Sequence, residues 1–106
     1  MIRLLLIVPF VGLLGGCAPQ HTAVVHDDTV TLTLRAPKAA TVRFASSIDR
    51  FAVHHAARNR EGTWLVSGLP NIEFQYFYLV DGQVMVPDCR FKVSDDFGSV
   101  NCRNLP

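Results

Sequence analysis

The 106-residue sequence lacks an apolar run long enough to cross a bilayer as a helix. Spanning takes roughly 20 consecutive apolar residues, and the longest candidate, residues 4–16, falls well short and contains Pro9. Clustered positive charge is missing too: ten Lys and Arg are scattered among nine Asp and Glu. That excludes recognition of nucleic acid by a charged face and leaves no polybasic patch for a membrane surface. No stretch carries an apolar stripe with helical period. Ser46, Ser47 and Ser67 have no GxSxG context. His54 and His55 are adjacent, so on a strand they point to opposite faces and cannot chelate together; His21 and His26 fall in a polar segment. Asp95 and Asp96 stand in a glycine-containing loop, where Asx hydrogen bonding suits them better than the flanking of a sugar bond by two carboxylates. We expect no catalytic constellation, no metal, no cofactor and no enzyme activity.

The start of the chain is informative. Arg3 precedes an apolar stretch over residues 4–14, and small residues lead up to Cys17 in Leu14-Gly15-Gly16-Cys17. This is the build of a secretory signal, not of a fold. Leu-Gly-Gly-Cys resembles the lipobox of bacterial lipoproteins. The resemblance implies a signal peptide over residues 1–16, cleavage before Cys17, and acylation of its thiol and new N-terminus. More than one acyl chain is enough for stable attachment to the bilayer. Ala18, in place of an aspartate, implies the outer membrane of a bacterial envelope over the inner one.

Residues 17–28 read as a lipidated N-terminus and polar, aperiodic tether, and residues 29–106 as a single small domain. A core of that size is only marginally self-sufficient. Of three cysteines, Cys17 is assigned to lipid, leaving Cys89 and Cys102. Outside the cytoplasm such a pair forms a disulfide. The alternative, a metal or redox pair, lacks CxxC spacing and nearby histidines.

Within residues 29–106 the apolar pattern has period two. In residues 30–35, Val30, Leu32 and Leu34 share one face and Thr31, Thr33 and Arg35 the other. Residues 41–45 repeat the pattern with Val42 and Phe44. A loop over residues 46–50 leads to a short strand over 51–55. A polar turn over 58–62 precedes a strand over 63–66 that Gly68 and Pro70 end. The strongest strand is 74–80, with Phe74, Tyr76, Tyr78 and Val80 facing the core and Gln75, Phe77 and Leu79 facing outward. Asp81-Gly82 suits a type I′ hairpin turn into residues 83–86. Residues 91–93 and 100–103 are short edges. Short strands at regular spacing predict an all-β sandwich.

The order of motifs is Ala40-Thr41-Val42-Arg43-Phe44, Gly62-Thr63-Trp64, Tyr76-Phe77-Tyr78-Leu79-Val80-Asp81-Gly82, Pro87-Asp88 and Asp96-Phe97-Gly98-Ser99-Val100-Asn101. It resembles the immunoglobulin-like early-set domain of glycogen-branching enzymes and isoamylases. It is similar also to the family-48 carbohydrate-binding module, the glycogen-binding domain of the AMP-activated kinase β subunit. The resemblance covers residues 30–101 and implies a non-catalytic glycan-binding module. Its site maps onto Phe51 for the first stacking tryptophan, Val84 or Met85 for the second, and Phe77 for a lysine. Phe97 stands for the loop leucine, Ser99 for a threonine and Asn101 for the asparagine. The loop end is kept, one ring becomes phenyl, and the lysine and second tryptophan are lost. Sugar C–H faces pack on flat rings, and a few placed polar groups orient them, so Phe77 offers a stacking face where the lysine stood.

Two readings follow. The first is a membrane-anchored lipoprotein displaying a glycan-binding-like module, with a polysaccharide or oligosaccharide as ligand. The second is a protein-interaction or structural lipoprotein with an envelope protein as partner, motivated by the outward Phe77 and Leu79; the bland counterpart is a strand covered by its own chain. Phe51 fits either a rim contact or the core edge. Trp64 is expected in the core.

Overall fold

The computed structural model describes residues 20–94 and 98–106. Ten strands run in chain order: β1 His21–His26, β2 Thr29–Arg35, β3 Val42–Ser46, β4 Val53–His55, β5 Ala57–Arg58, β6 Thr63–Pro70, β7 Phe74–Val80, β8 Gln83–Met85, β9 Lys92–Ser94 and β10 Val100–Asn104. A 3-10 turn, Ser47–Asp49, follows β3. One sheet has the order β1-β2-β6-β5; the other runs β4-β3-β7-β10-β9, with β8 also paired to β7. All pairings are antiparallel. The chain is an all-β, immunoglobulin-like early-set β-sandwich, a single small domain.

Alternation builds the core. On β2, Val30, Leu32 and Leu34 are fully buried, and Val42 and Phe44 from β3 and Phe74, Tyr76 and Tyr78 from β7 meet them from the other sheet. Each large apolar side chain so buried contributes roughly 1.5–3 kcal/mol. Phe44 and Phe74 pack on Tyr76 with centroids 5.7 and 5.6 Å apart. Trp64 is in this core, as its parity with Val66 predicts, and its indole N–H donates to the Ala36 carbonyl at 3.0 Å.

Strand β7 is the pivot of the larger sheet. One edge pairs with β3 along Val42↔Val80 to Ser46↔Tyr76. The other edge is shared: its first half pairs with β10 through Cys102↔Tyr76 and its second half with β8 through Tyr78↔Met85. The β7–β8 reversal is the Asp81-Gly82 turn, both residues at positive φ (50° and 84°), as a type I′ turn requires. The Asp81 carboxylate accepts from the Ala40 and Thr41 amides at 2.8 and 2.9 Å, tying the hairpin to the start of β3. Cys89 and Cys102 form a disulfide with Cα atoms 5.9 Å apart.

Four local expectations are corrected. Residues 21–26, expected within a tether, form strand β1, paired along its whole length with β2. Asp27 and Asp28 both take positive φ (50° and 62°) and turn the chain as Asp-Gly would, aspartate being tolerated there. Gly68 does not end its strand. The register slips between Val30↔Leu69 and Leu32↔Val66, so Ser67 and Gly68 together oppose one residue, a bulge with Gly68 at φ 75°. Phe51 is not in a strand; β4 begins at Val53. The polar turn after β4 is shorter than expected, because Ala57 and Arg58 pair with Leu65 and Trp64. Cys17, Asp95, Asp96 and Phe97 lie outside the described residues.

Candidate functional site

The outward face of β7 carries the site. Parity buries Phe74, Tyr76 and Tyr78 and leaves Phe77 half-buried on the opposite face. Phe51 is brought to it by a short, well-bonded turn. Ser46 ends β3 and caps the 3-10 turn through its hydroxyl, which accepts from the Ile48 amide at 3.3 Å. Arg50 and Phe51 then take left-handed conformations, φ 61° and 64°, and the Phe51 amide donates back to the Ser46 carbonyl at 2.7 Å. Two consecutive non-glycine residues with positive φ store strain. Their reward is the placement of the Phe51 ring, which stacks on Phe77 with centroids 5.8 Å apart and 16° between planes. The Ser47 hydroxyl accepts from the Gln75 amide at 3.0 Å, locking the turn onto β7.

A groove of about 630 Å³ opens beside these rings, lined by Phe51, Phe77, Val84, Val86, Ser99, Val100 and Asn101. It lies over the seam where β8 and β10 share the edge of β7. The Asn101 amide nitrogen donates to the Gln75 carbonyl oxygen at 3.2 Å, which fixes its orientation. None of the lining residues is charged. A groove lined by two stacked rings, three valines, a hydroxyl and a carboxamide, none of them charged, accommodates an uncharged ligand with both apolar and hydroxylated faces.

Four of the residues singled out from sequence meet here: Phe51, Phe77, Ser99 and Asn101. Between Val84 and Met85, Val84 lines the groove and is 65% exposed, whereas Met85 packs against the core. Phe51 is 38% exposed and lines the groove, which makes it a rim residue. Val86 and Val100 were missed, although for Val100 the alternation with Cys102 was legible. Among the described residues no cluster of His, Cys, Asp and Glu could hold a metal ion. His54 meets the Asp49 carboxylate at the surface.

No family model matches the chain, and no curated protein does. Among solved structures it is similar to pullulanase from Anoxybacillus sp. LM18-11, at 18% identity over 79% of this chain with a TM-score of 0.60. The same enzyme complexed with maltotetraose is similar at 16% identity over 79% of this chain, TM-score 0.56. The chain spans about 13% of the length of these enzymes. At such identity the likeness is one of fold.

Proposed function

We propose that the chain is a non-catalytic glycan-binding module of the family-48 kind, held at a bacterial membrane through a lipidated Cys17. One observation carries the binding half of this reading: the Phe51–Phe77 stack shares an uncharged groove with Ser99 and Asn101. The early-set fold and the similarity to an enzyme crystallised with maltotetraose favour an α-glucan oligosaccharide as ligand. Leu14-Gly15-Gly16-Cys17 motivates the anchor, with residues 1–16 as signal peptide, residues 17–20 as the link to β1, and the outer membrane of the envelope as location. Retardation in glucan-containing native gels tests the binding, with loss expected for Phe51→Ala and Phe77→Ala. No retardation by any α-glucan or by β-cyclodextrin refutes it. Mass spectrometry of the membrane-extracted protein tests the anchor; an unmodified thiol at Cys17 refutes it.

A second reading has its own observation. Val84, Val86 and Val100 line the groove beside the rings, and Val84 is the most exposed large apolar residue of the described part. Such an apolar lining also suits a side chain of an envelope protein partner. Co-purification of a partner that Phe77→Glu abolishes, without glucan retardation, would favour it.

A further inference from the structure

The opposite flank of the molecule holds a cleft of about 640 Å³ between the edge strand β1 and the chain around β10. Ala23 and Val25 form one wall, Arg90, Phe91 and Leu105 the other, and Tyr76 lines it from the core. Tyr76 is unusual. Its residue surface is only 2% exposed, yet its hydroxyl has no hydrogen-bond partner among the described residues. Its neighbour on the same face, Tyr78, meets the His21 imidazole at 3.1 Å. Burial pushes the Tyr76 phenol up to about 12. Buried polar groups are nearly always satisfied, so an orphan on a cleft wall marks something that completes it.

The rim supplies the complement. Arg90 lies over the Phe91 ring at 5.1 Å and makes no ion pair among the described residues, while Arg103 is bound to Glu73. The segment carrying Arg90 is held on both sides: Cys89 by its disulfide, and the Phe91 carbonyl by the Arg103 amide at 2.9 Å. A preorganised rim loses little freedom on binding. Val25, Phe91 and Leu105 stay 51%, 40% and 40% exposed around the mouth, an apolar surface beside a guanidinium that makes no ion pair among the described residues.

We propose that this cleft is a second ligand site, separate from the groove at Phe77, which takes a small amphiphilic carboxylic acid. The Tyr76 hydroxyl and the Arg90 guanidinium hold the carboxylate, and Ala23, Val25 and Leu105 cover the apolar body. Asp88 also lines the cleft and opposes an anion, so it tunes the affinity downward. Nothing in this assignment depends on glycan binding.

Nitrogen-15 NMR titration of the full chain with 4-phenylbutanoate tests it, with 4-phenylbutanamide as the uncharged control. Shifts are expected at His21, Ala23, Tyr76, Arg90 and Leu105 and not at Phe51, Phe77 or Val84, with the amide binding at least about tenfold more weakly. Arg90→Gln lowers the acid's affinity about tenfold, and Asp88→Asn raises it. Tyr76→Phe lowers affinity while leaving thermal stability equal or higher, because no protein partner loses a bond. Absence of shifts at millimolar acid, equal binding of acid and amide, or an unchanged affinity in Tyr76→Phe (a trapped water only) would each overturn the assignment.

Discussion

Reducing the Cys89–Cys102 disulfide is the perturbation whose size can be worked out most directly. The crosslink spans 13 positions and closes a loop that contains β9 and the start of β10. In the chain-entropy model a loop of this length restricts the unfolded ensemble by about 10 cal/mol/K, or about 3 kcal/mol at 25 °C. A small domain has only about 5–15 kcal/mol in total, so the loss is a large fraction of it. For a domain of 60–100 residues it corresponds to a fall in Tm of roughly 12–24 °C. Comparing the oxidised and reduced forms of the same chain avoids the cavity that substituting the fully buried Cys102 would leave. Urea unfolding followed by Trp64 fluorescence gives both free energies. A difference below about 1 kcal/mol would refute the reasoning, because it would mean that the reduced unfolded chain is already restricted or that the native bond is strained by as much as it restricts.

Three further outcomes are expected. Gly62 sits at φ 79°, and a Cβ there would lie 2.6 Å from the Pro37 Cα, whereas Gly82 at φ 84° has nothing within 4 Å. Gly62→Ala should then cost more than about 2 kcal/mol and Gly82→Ala about 1 kcal/mol in paired urea melts; equal costs would contradict the close approach. Asp81→Ala, which strips the acceptor from two exposed amides, should cost about 1 kcal/mol, and Asp81→Asn, which keeps an oxygen there, clearly less. Burial holds the His21 imidazole below its ordinary 6.5, so the unfolded chain takes up that proton first. The stabilising contribution is complete above about pH 6.5 and is lost as the pH falls from there to the depressed native value, with a flat dependence below both. Urea midpoints between pH 7.5 and 5 should show this slope in the wild type and a shallower one in His21→Phe; identical slopes would discount the histidine.

The parts of this fold that were legible in sequence are those where a two-residue alternation coincides with burial on one side. β2, β3 and β7 are of that kind, and Phe77 was placed outward by parity alone. β1 was not legible, because His21–His26 buries almost nothing: five of its six residues are exposed, so no apolar period reports it, and its turn is built from two aspartates without the glycine that usually signals one. Its stability comes from the ladder to β2 and from one clasp, His21 against Tyr76 and Tyr78 at 5.8 and 5.7 Å. Gly68 misled for a related reason: a glycine within a strand marks a bulge as readily as an end. At the site, the residues and their grouping came only through a family resemblance, and the backbone that brings Phe51 onto Phe77 was not legible. It depends on Arg50 and Phe51 adopting left-handed conformations, which no composition or period announces for an arginine and a phenylalanine.

The same strained turn bears on whether the groove is selected for or left over. A domain that had merely lost a sugar site would have no reason to keep two side-chain-bearing residues at φ 61° and 64°. Conformations of that kind cost of order 1 kcal/mol or more each and persist only where the surroundings over-determine them. Here they are over-determined. The Ser46 cap, the Phe51 amide returning to Ser46, and the Ser47 hydroxyl on β7 all act to hold one ring against another. Replacing Arg50 by glycine separates the two cases. If strain is retained for the groove, Arg50→Gly should raise thermal stability by relieving the left-handed penalty while loosening the Phe51–Phe77 stack, so that ligand retardation falls as the melting temperature rises. If the turn is only a structural relic, stability should rise with no change in binding at the groove.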